Sequence, residues 1–460
     1  MFTKAWKARH LEGPGGISRL LILAYPIIIS NASDTIMMFC DRYFLSHLGS
    51  EYMSGAMIAG FSCFFLMTFW YGVNSYVNAL VAQHYGAKQI ERCAVAVSQG
   101  LIFSVMAYPI ILTCVPFIYE VFEWSSPDPL QLILQKEYFL ILTLASPFAL
   151  FRVVFGSFFA GIGRTRIVMI ANLLGMILNI PLTYAMVFGV WGFPEWKMAG
   201  AAYGTAIGEA LTFVILAVAY IRENERFHIW KNLYFDRKMF SKLLRFGFPA
   251  GFELFIAMAA LNLTMQQFHS YGTEVAAAMT ITFNWDLVAF LPMMGLGIAV
   301  TSLVGQNLGA NNTLEAERAL FSGLKVAMFY ALSMTLLFLF GTDLLVNIFL
   351  HDHSTKQYAE IYETATVMLR LAALFITADA LKLMVVGALH GAGDTLWPMW
   401  VKVLIYPFFA VVVISLIKVY KVAPVIAWGA FTFLPISLAI ILWYRYKSGA
   451  WKTFKLLAAA

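Results

Sequence analysis

The sequence predicts an all-α polytopic membrane protein with about twelve transmembrane helices in two six-helix bundles related by pseudo-two-fold symmetry. Of its 460 residues, 61% are hydrophobic and only 12% are charged, whereas a soluble domain has about 45–50% apolar and about 25% charged residues. Apolar stretches of about twenty residues recur along the whole chain. Motifs of the first half also return in the second half at a nearly constant spacing.

Each apolar stretch is long enough to cross a hydrocarbon core of about 30 Å as a helix. The stretches are continuous rather than alternating, and only helices or closed barrels satisfy the backbone hydrogen bonds in lipid. We predict spans near residues 18–44, 53–82, 94–118, 131–156, 166–190, 199–221, 246–269, 276–306, 319–341, 362–388, 397–418 and 424–444.

Basic residues predict the orientation, because Lys and Arg are enriched in cytoplasmic loops. With the N-terminus inside, the inner segments carry most of them, including the polar stretch Arg222 to Lys242 and also Lys402. We therefore expect a multi-pass protein of the cell (inner or plasma) membrane with both termini cytoplasmic. This topology also explains the net charge of +6, so we predict the lipid bilayer and not nucleic acid as a partner.

The two halves repeat the same motifs. Three pairs of motifs are 223 residues apart, and a fourth pair is 230 residues apart. The pairs are Tyr25-Pro26 with Phe248-Pro249, Gly49-Ser50-Glu51 with Gly272-Thr273-Glu274, Gln83–Ala87 with Gln306–Ala310, and Gly161–Thr165 with Gly391–Thr395.

Six helices per half is an even number, so both halves keep one orientation and are related by an axis along the membrane normal. We predict an N-terminal lobe over 1–225, a cytoplasmic linker over 226–245, a C-terminal lobe over 246–445 and a cytoplasmic tail over 446–460. Two such lobes are expected to form a V with a central cleft and alternating access. This organisation favours a transporter over a receptor or an enzyme.

In this order, the motifs resemble the multidrug and toxic compound extrusion (MATE) family over nearly the whole chain. The Asn179-Ile180-Pro181-Leu182-Thr183 segment of the fifth span is similar to a segment of that family. The resemblance, which is to the bacterial NorM-like branch, implies secondary active efflux of organic cations or amphiphilic compounds in exchange for H⁺ or Na⁺. It implies no cofactor.

The resemblance also implies two functional carboxylates. Asp41 matches one by its place before the Gly49 turn, and Asp379 matches the other, twelve residues before Gly391. Where the family often has a Glu in the seventh span, this chain has Ala257, with Glu253 one turn earlier on the same face.

Two further positions depart from the family pattern. Phe375 replaces an aromatic hydroxyl expected one turn before the tenth-span Asp, and Thr183 stands where the DinF-like branch has a carboxylate. The first departure and the displaced Glu favour H⁺ over Na⁺ as the coupling ion.

Intramembrane carboxylates are candidates on physical grounds alone, since a charge near the bilayer centre costs at least ~2.5–3.5 kcal/mol. For cation coupling we predict Asp379, Glu253, Asp286 and Asp41. If Glu253, Asp286 and Asp379 converge, they could share protons or bind Na⁺ at Glu253 and Asp379. The alternative is that each is paired locally, as Asp379 could be with Lys382 three residues later.

Substrate-binding candidates lie in both halves, and a polar one could equally make interhelical hydrogen bonds. They are Asp41, Asp34, Asn179, Asn284 and Met293. Glu209 is more simply a helix-packing residue. Pro26 and Pro249 should kink the first and seventh spans as hinges, although a static kink is equally consistent. Arg152 and Lys382 hold equivalent places in the repeat and are expected to pair with carboxylates.

We weigh three other functions, of which a non-transporting sensor is disfavoured because the sequence predicts no attached soluble domain. A lipid-linked saccharide flippase of the same superfamily would need a cationic cavity, whereas here buried acids outnumber buried bases. A membrane enzyme is disfavoured because no nucleophile–base pair is visible. His351-Asp352-His353 has metal-like spacing but lies in an outer loop without further ligands, so we predict no resident metal. A self-contained cleft leads us to expect a monomer.

Overall fold

The computed structural model of the chain describes residues 11–125, 128–349 and 356–453. Within them, twelve helices are long and apolar enough to cross a membrane. They are α1 (Ile17–Ser46), α2 (Glu51–Gly86), α3 (Ile90–Trp124), α4 (Pro129–Gly161), α5 (Thr165–Phe188), α6 (Lys197–Arg222), α7 (Arg237–Tyr271), α8 (Thr273–Gly309), α9 (Thr313–Phe340), α10 (Ala359–Ala392), α11 (Leu396–Lys418) and α12 (Pro424–Lys447).

These helices confirm the predicted all-α membrane architecture. Several extend beyond the predicted spans, because hydropathy marks only the apolar centre whereas a helix continues into its polar ends. α2 is interrupted at Tyr76 and α3 at Cys114, between two helical segments each. Short helices over Asn224–Phe227 and Trp230–Asn232 connect α6 to α7.

The internal repeat is visible in the backbone. Turn residues that correspond between the halves share positive φ angles, a conformation that L-residues other than Gly rarely adopt. The φ values are 139° and 118° at Gly49 and Gly272, 60° and 56° at Lys88 and Asn311, and 81° and 99° at Gly163 and Gly393.

The chain divides into two compact units. One contains residues 25–251, and the other contains residues up to Ala24 together with 252–455. The predicted lobes are continuous along the chain. In the structure, the start of α1 belongs to the unit that contains most of the second half, and the start of α7 belongs to the unit that contains most of the first half. The two divisions fall within three residues of Pro26 and Pro249.

Each exchanged segment is held by close contacts with its unit. The backbone N–H of Gly15 donates to Glu315 (2.7 Å), and Ser322 donates to the carbonyl of Gly15 (2.7 Å). In the other unit a Cβ placed on Gly72 would lie 2.4 Å from the Cα of Gly251. Glycine is needed at these contacts because the backbones approach too closely for a side chain.

Within the two units, α4 and α10 occupy equivalent places in the repeat and have many buried residues. α4 packs on α2, α6 and the start of α3, and α10 packs on α8, α9 and α12. Close approach again depends on Gly, since a Cβ on Gly387 would lie 2.5 Å from the carbonyl oxygen of Gly297. These two helices carry Arg152 and Lys382, which interact with four of the intramembrane acids, namely Asp34, Glu209, Asp379 and Asp286.

Candidate ion and substrate sites

Arg152 neutralises two carboxylates of the first unit. Its Nε lies 2.7 Å from Oε2 of Glu209 in α6, and its Nη1 lies 3.3 Å from Oδ2 of Asp34 in α1. The guanidinium fork can serve two acids at once because it presents donors on several sides. One residue of α4 thus ties α1 and α6 together, and Glu209 has an electrostatic as well as a packing role.

Lys382 has the equivalent role in the second unit. Its ammonium group is hydrogen-bonded to Asp379, three residues earlier on α10, and both side chains are buried. Asp286 of α8 lies within electrostatic range of both groups. The structure therefore brings Asp286 and Asp379 together around one cation, and Asp379 has the local partner that we considered as an alternative.

Glu253 belongs to a different group. Its Oε1 lies 2.9 Å from Nζ of Lys402 in α11 and 3.2 Å from Nε2 of His390 in α10. The contacts of Glu253 are thus with Lys402 and His390 and not with the Asp379 group, which differs from the single cluster we considered. Lys402, assigned by sequence to a cytoplasmic segment, lies within α11 with only 13% of its side chain exposed.

Asp41 is the most distinctive carboxylate of the first unit. It is 6% exposed and accepts a hydrogen bond of 2.7 Å from Thr205 of α6, and the hydroxyl of Thr183 in α5 also faces it. Its other oxygen, Oδ1, has no hydrogen-bond partner among the described residues. Asp41 is thus held by neutral hydroxyl groups, and the neighbouring Arg42 is the cation that interacts with it among the described residues.

Asn179 lies one helical turn before Thr183 and is fully buried. In the described part of the chain, neither polar atom of its amide has a hydrogen-bond partner. A buried unsatisfied amide is costly, so such a group is often completed by a ligand, an ion or water. Asn179, Thr183, Thr205 and Asp41 thus offer a set of oxygen ligands between α1, α5 and α6.

Close packing of α5 and α6 builds this site. A Cβ on Gly204 would lie 2.1 Å from Oγ1 of Thr183, and one on Gly208 would lie 3.0 Å from Cβ of Asn179. Gly200, Gly204 and Gly208 form a stripe of small residues at every fourth position of α6, the pattern that lets membrane helices approach closely. The stripe presents Asn179 and Thr183 to α6 and places Thr205 beside Asp41.

The remaining predicted residues have plain surroundings. Asn284 is exposed and donates to the carbonyl of Thr280 in its own helix (2.8 Å), whereas Met293 is only 1% exposed. Pro26 and Pro249 lie inside unbroken helices.

Sequence reasoning missed three residues of these sites. His390 stands directly before the Gly391 motif and Lys402 inside an apolar stretch, and both could have been found as intramembrane bases. For Thr205, the one feature of the sequence that points to the site is its place next to Gly204 in the glycine stripe.

Among the described residues, no group of three or more His, Cys, Asp or Glu side chains is placed to hold a metal ion. The His351–His353 segment lies outside them.

Comparison with known proteins places this arrangement in a family. The sequence model described as MatE matches residues 26–185 and 249–416, one segment in each half. The chain is 27% identical to a probable multidrug resistance protein NorM of Pasteurella multocida, over 84% of this chain and 83% of the relative. It is 28% identical to the multidrug resistance protein PmpM of Pseudomonas aeruginosa, over 84% and 81%.

Solved structures show the same fold. A crystal structure of MATE in complex with MaL6 has a TM-score of 0.85 at 20% identity, covering 96% of this chain and 98% of that one. A MOP superfamily transporter from Pyrococcus furiosus, for which a reversed polarity of the binding pocket suggests a different function, has a TM-score of 0.86 at 19% identity, covering 96% and 97%. The family match spans most of the chain and both halves of the repeat, so the chain belongs to the MatE family of transporters and is NorM-like.

Proposed function

We propose that this protein is a secondary active efflux transporter that exchanges organic cations or amphiphilic compounds for H⁺ or Na⁺ by alternating access. The observation that carries the proposal is Asp41, a buried carboxylate with one oxygen that accepts no hydrogen bond from the described residues. Such a group needs a counter-charge within the membrane. A proton, a metal cation or an organic cation can each supply it, and exchange among them couples the two transport steps.

The charge balance supports a cationic rather than an anionic substrate. Arg152 faces two acids, and Lys402 and Lys382 each face at least one. No positive charge among these bases is left over for a pyrophosphate group. The flippase alternative would need such a surplus, so the charge balance disfavours it although the fold is shared.

For the coupling ion we favour H⁺. The acids Glu253 and Asp379 already contact Lys402 and Lys382, so Na⁺ at either would have to displace an ammonium group. Protonation of the acid needs only a loosened ion pair.

One observation keeps Na⁺ as a second candidate. The carboxylate of Asp41, the hydroxyls of Thr183 and Thr205, and the amide of Asn179 are oxygen donors of the kind hard cations prefer. A Na⁺ ion held there would still require displacement by the substrate.

α1 and α7 each contain a proline that can act as a hinge. Pro26 and Pro249 remove one backbone hydrogen bond from each helix, and each lies within three residues of a division between the units. We propose that the helices bend there as hinges. We further propose that the protein works as a monomer in the cell membrane with both termini cytoplasmic.

Proteoliposomes loaded with ethidium test this function. An imposed proton gradient should drive ethidium movement in the wild type, and an imposed Na⁺ gradient alone should do so only if the Na⁺ alternative holds. Asp41→Asn should abolish gradient-driven movement. Transport that neither gradient drives would contradict exchange and move the flippase alternative ahead.

A further inference from the structure

The connection between α6 and α7 is fastened to the first unit. Ser98 of α3 donates to the carbonyl of Asn232 (2.8 Å), and Gln99 both donates to the carbonyl of Tyr234 (2.9 Å) and accepts from the N–H of Asp236 (3.1 Å). The side chain of Phe227 is fully buried. The backbone of this connection therefore has a fixed course, and the direction of its outward side chains is fixed with it.

Those outward side chains are apolar. Trp230, Leu233, Tyr234 and Phe235 are 61%, 53%, 47% and 55% exposed, and we call them the aromatic patch. Exposure of these four side chains to water is unfavourable, and a fixed backbone cannot turn them inward. They directly precede α7, a helix long and apolar enough to cross a membrane, and aromatic side chains near the ends of such helices favour the headgroup layer. A bilayer interface is the partner that this patch fits.

A basic pocket lies next to the aromatic patch along the chain. It has a volume of about 370 Å³, and it is lined by the end of the α2–α3 turn and by the short helix after α6, with Lys88, Arg92 and Arg226 as its cations. The acid in its lining, Glu91, faces His228 at 3.9 Å, and Arg92 is paired with Asp236 outside the lining at 2.7 Å.

Lys88 and Arg226 keep their charges available. Within the described chain neither has a carboxylate at ion-pair distance, and Arg226 contacts the hydroxyl of Tyr85 (2.8 Å) instead. A guanidinium and an ammonium group facing one open pocket form a binding site for a phosphoryl group.

We propose that the basic pocket binds the phosphoryl headgroup of an anionic phospholipid while the aromatic patch enters the headgroup layer beside it. A free phosphate ion would satisfy the cations but leave the aromatic patch in water. A zwitterionic lipid brings a positive group back to the pocket, so an anionic headgroup fits best. The bound lipid would then hold the α6–α7 connection, which joins the two halves of the sequence, at the membrane surface.

Native mass spectrometry of the purified full chain tests the proposal. The protein is titrated with phosphatidylglycerol and phosphatidylcholine in one detergent, and the bound copies of each are counted. The wild type should retain phosphatidylglycerol preferentially. The Lys88→Gln/Arg226→Gln variant should bind it roughly thirtyfold more weakly, which corresponds to about 1 kcal/mol for each of two basic residues.

Matched variants separate charge from folding. Lys88→Arg/Arg226→Lys should keep the preference, and so should Lys197→Gln/Lys421→Gln, which removes two other exposed lysines with positive φ. Trp230→Ser/Leu233→Ser should weaken phosphatidylglycerol binding at unchanged charge, and millimolar inorganic phosphate should displace little lipid. Equal retention of both lipids by the wild type, an unchanged preference in Lys88→Gln/Arg226→Gln, or full displacement by inorganic phosphate would overturn the proposal.

Discussion

Arg152 in α4 and Lys382 in α10 stand 230 residues apart, hold equivalent places in the two repeats, and are each neutralised by carboxylates of their own unit. The acids are not equivalent. Arg152 is paired with acids of α1 and α6, whereas Lys382 is paired with Asp379 of its own helix and also interacts with Asp286 of α8. Each half therefore has an intramembrane cation at the same place in the repeat, but the acids that neutralise it come from different helices.

Removal of Arg152 should destabilise the first unit strongly. Arg152→Met leaves Asp34 and Glu209 without their shared cation. Breaking a fully buried ion pair costs about 3–5 kcal/mol, and because the Asp34 side chain is 43% exposed the loss should fall at the lower end of that range. Unfolding by denaturant in detergent, followed by tryptophan fluorescence, measures the loss. Arg370→Met is the matched control, because Arg370 and Asp343 are largely exposed and 3.9 Å apart, so its change should stay below about 1 kcal/mol.

Lys402 should be more harmful to lose alone than together with its partner. Lys402→Met leaves Glu253 buried beside His390 and should lower the free energy of unfolding by about 3 kcal/mol. The double variant Glu253→Gln/Lys402→Met removes both charges and should recover most of that loss. A double-mutant cycle on the same unfolding measurement gives the coupling. A coupling near zero would show that the pair does not stabilise the fold.

The Thr205 hydroxyl should matter for transport. Thr205→Val removes the 2.7 Å hydrogen bond to Asp41, and a bond to a charged group contributes about 1.5–3 kcal/mol. Ethidium efflux should fall by roughly tenfold or more, and Thr205→Ser should restore it. Thr212→Val is the control, because it removes a threonine hydroxyl from the same helix at a position away from Asp41. Thr212 donates its hydrogen bond to the carbonyl of Gly208. Equal efflux in Thr205→Val and Thr212→Val would contradict the assigned role.

Gly204 should not tolerate a side chain. Gly204→Ala places a Cβ 2.1 Å from Oγ1 of Thr183 and 3.0 Å from its Cα, so α5 and α6 must separate at a cost of about 1–3 kcal/mol. Gly156→Ala is the control, because its nearest neighbour would be 3.9 Å away. Thermal unfolding in detergent should show a lower midpoint for Gly204→Ala alone.

Asp236 should make the α6–α7 connection sensitive to acid. Burial alone would raise the pKa of Asp236, but hydrogen bonds from the N–H of Met239 and from Arg92 hold the pKa below its ordinary value, which is about 3.9. A lowered pKa means that this stabilisation is complete above about pH 4 and is lost as the pH falls through the folded-state pKa.

Hydrogen exchange of residues 229–236 checks that expectation. Wild-type protection should exceed that of Asp236→Asn at neutral pH, and the two should converge in strong acid. A difference that persists unchanged at low pH would show that the Asp236 charge does not hold the connection.

Sequence reasoning predicted the helices, the repeat and most of the buried acids, because each leaves a local mark. Apolar length marks a span, a shared offset marks a repeat, and an intramembrane charge such as Asp379 is rare enough to stand out. The partner of Glu253 could not be predicted in this way. Lys402 lies 149 residues away, and only the folded structure brings Glu253 of α7 beside His390 of α10 and Lys402 of α11.

The sequence also does not indicate that the starts of α1 and α7 each belong to the unit of the other half. Nothing in the composition of residues 11–24 or 237–251 distinguishes them from their own halves. Close backbone contacts such as Gly72 with Gly251 decide their placement, and such contacts appear only once the helices are packed.

Equilibrium binding of ethidium to the purified protein, measured across pH without Na⁺ and across Na⁺ concentration at fixed pH, tests most directly whether Asp41 exchanges ion for substrate. Wild-type affinity should fall as the pH drops, or as Na⁺ rises if Na⁺ is the coupling ion. Asp41→Asn should bind ethidium weakly and lose that dependence. Ethidium binding by Asp41→Asn with the wild-type dependence on either ion would contradict a role of Asp41 in exchange.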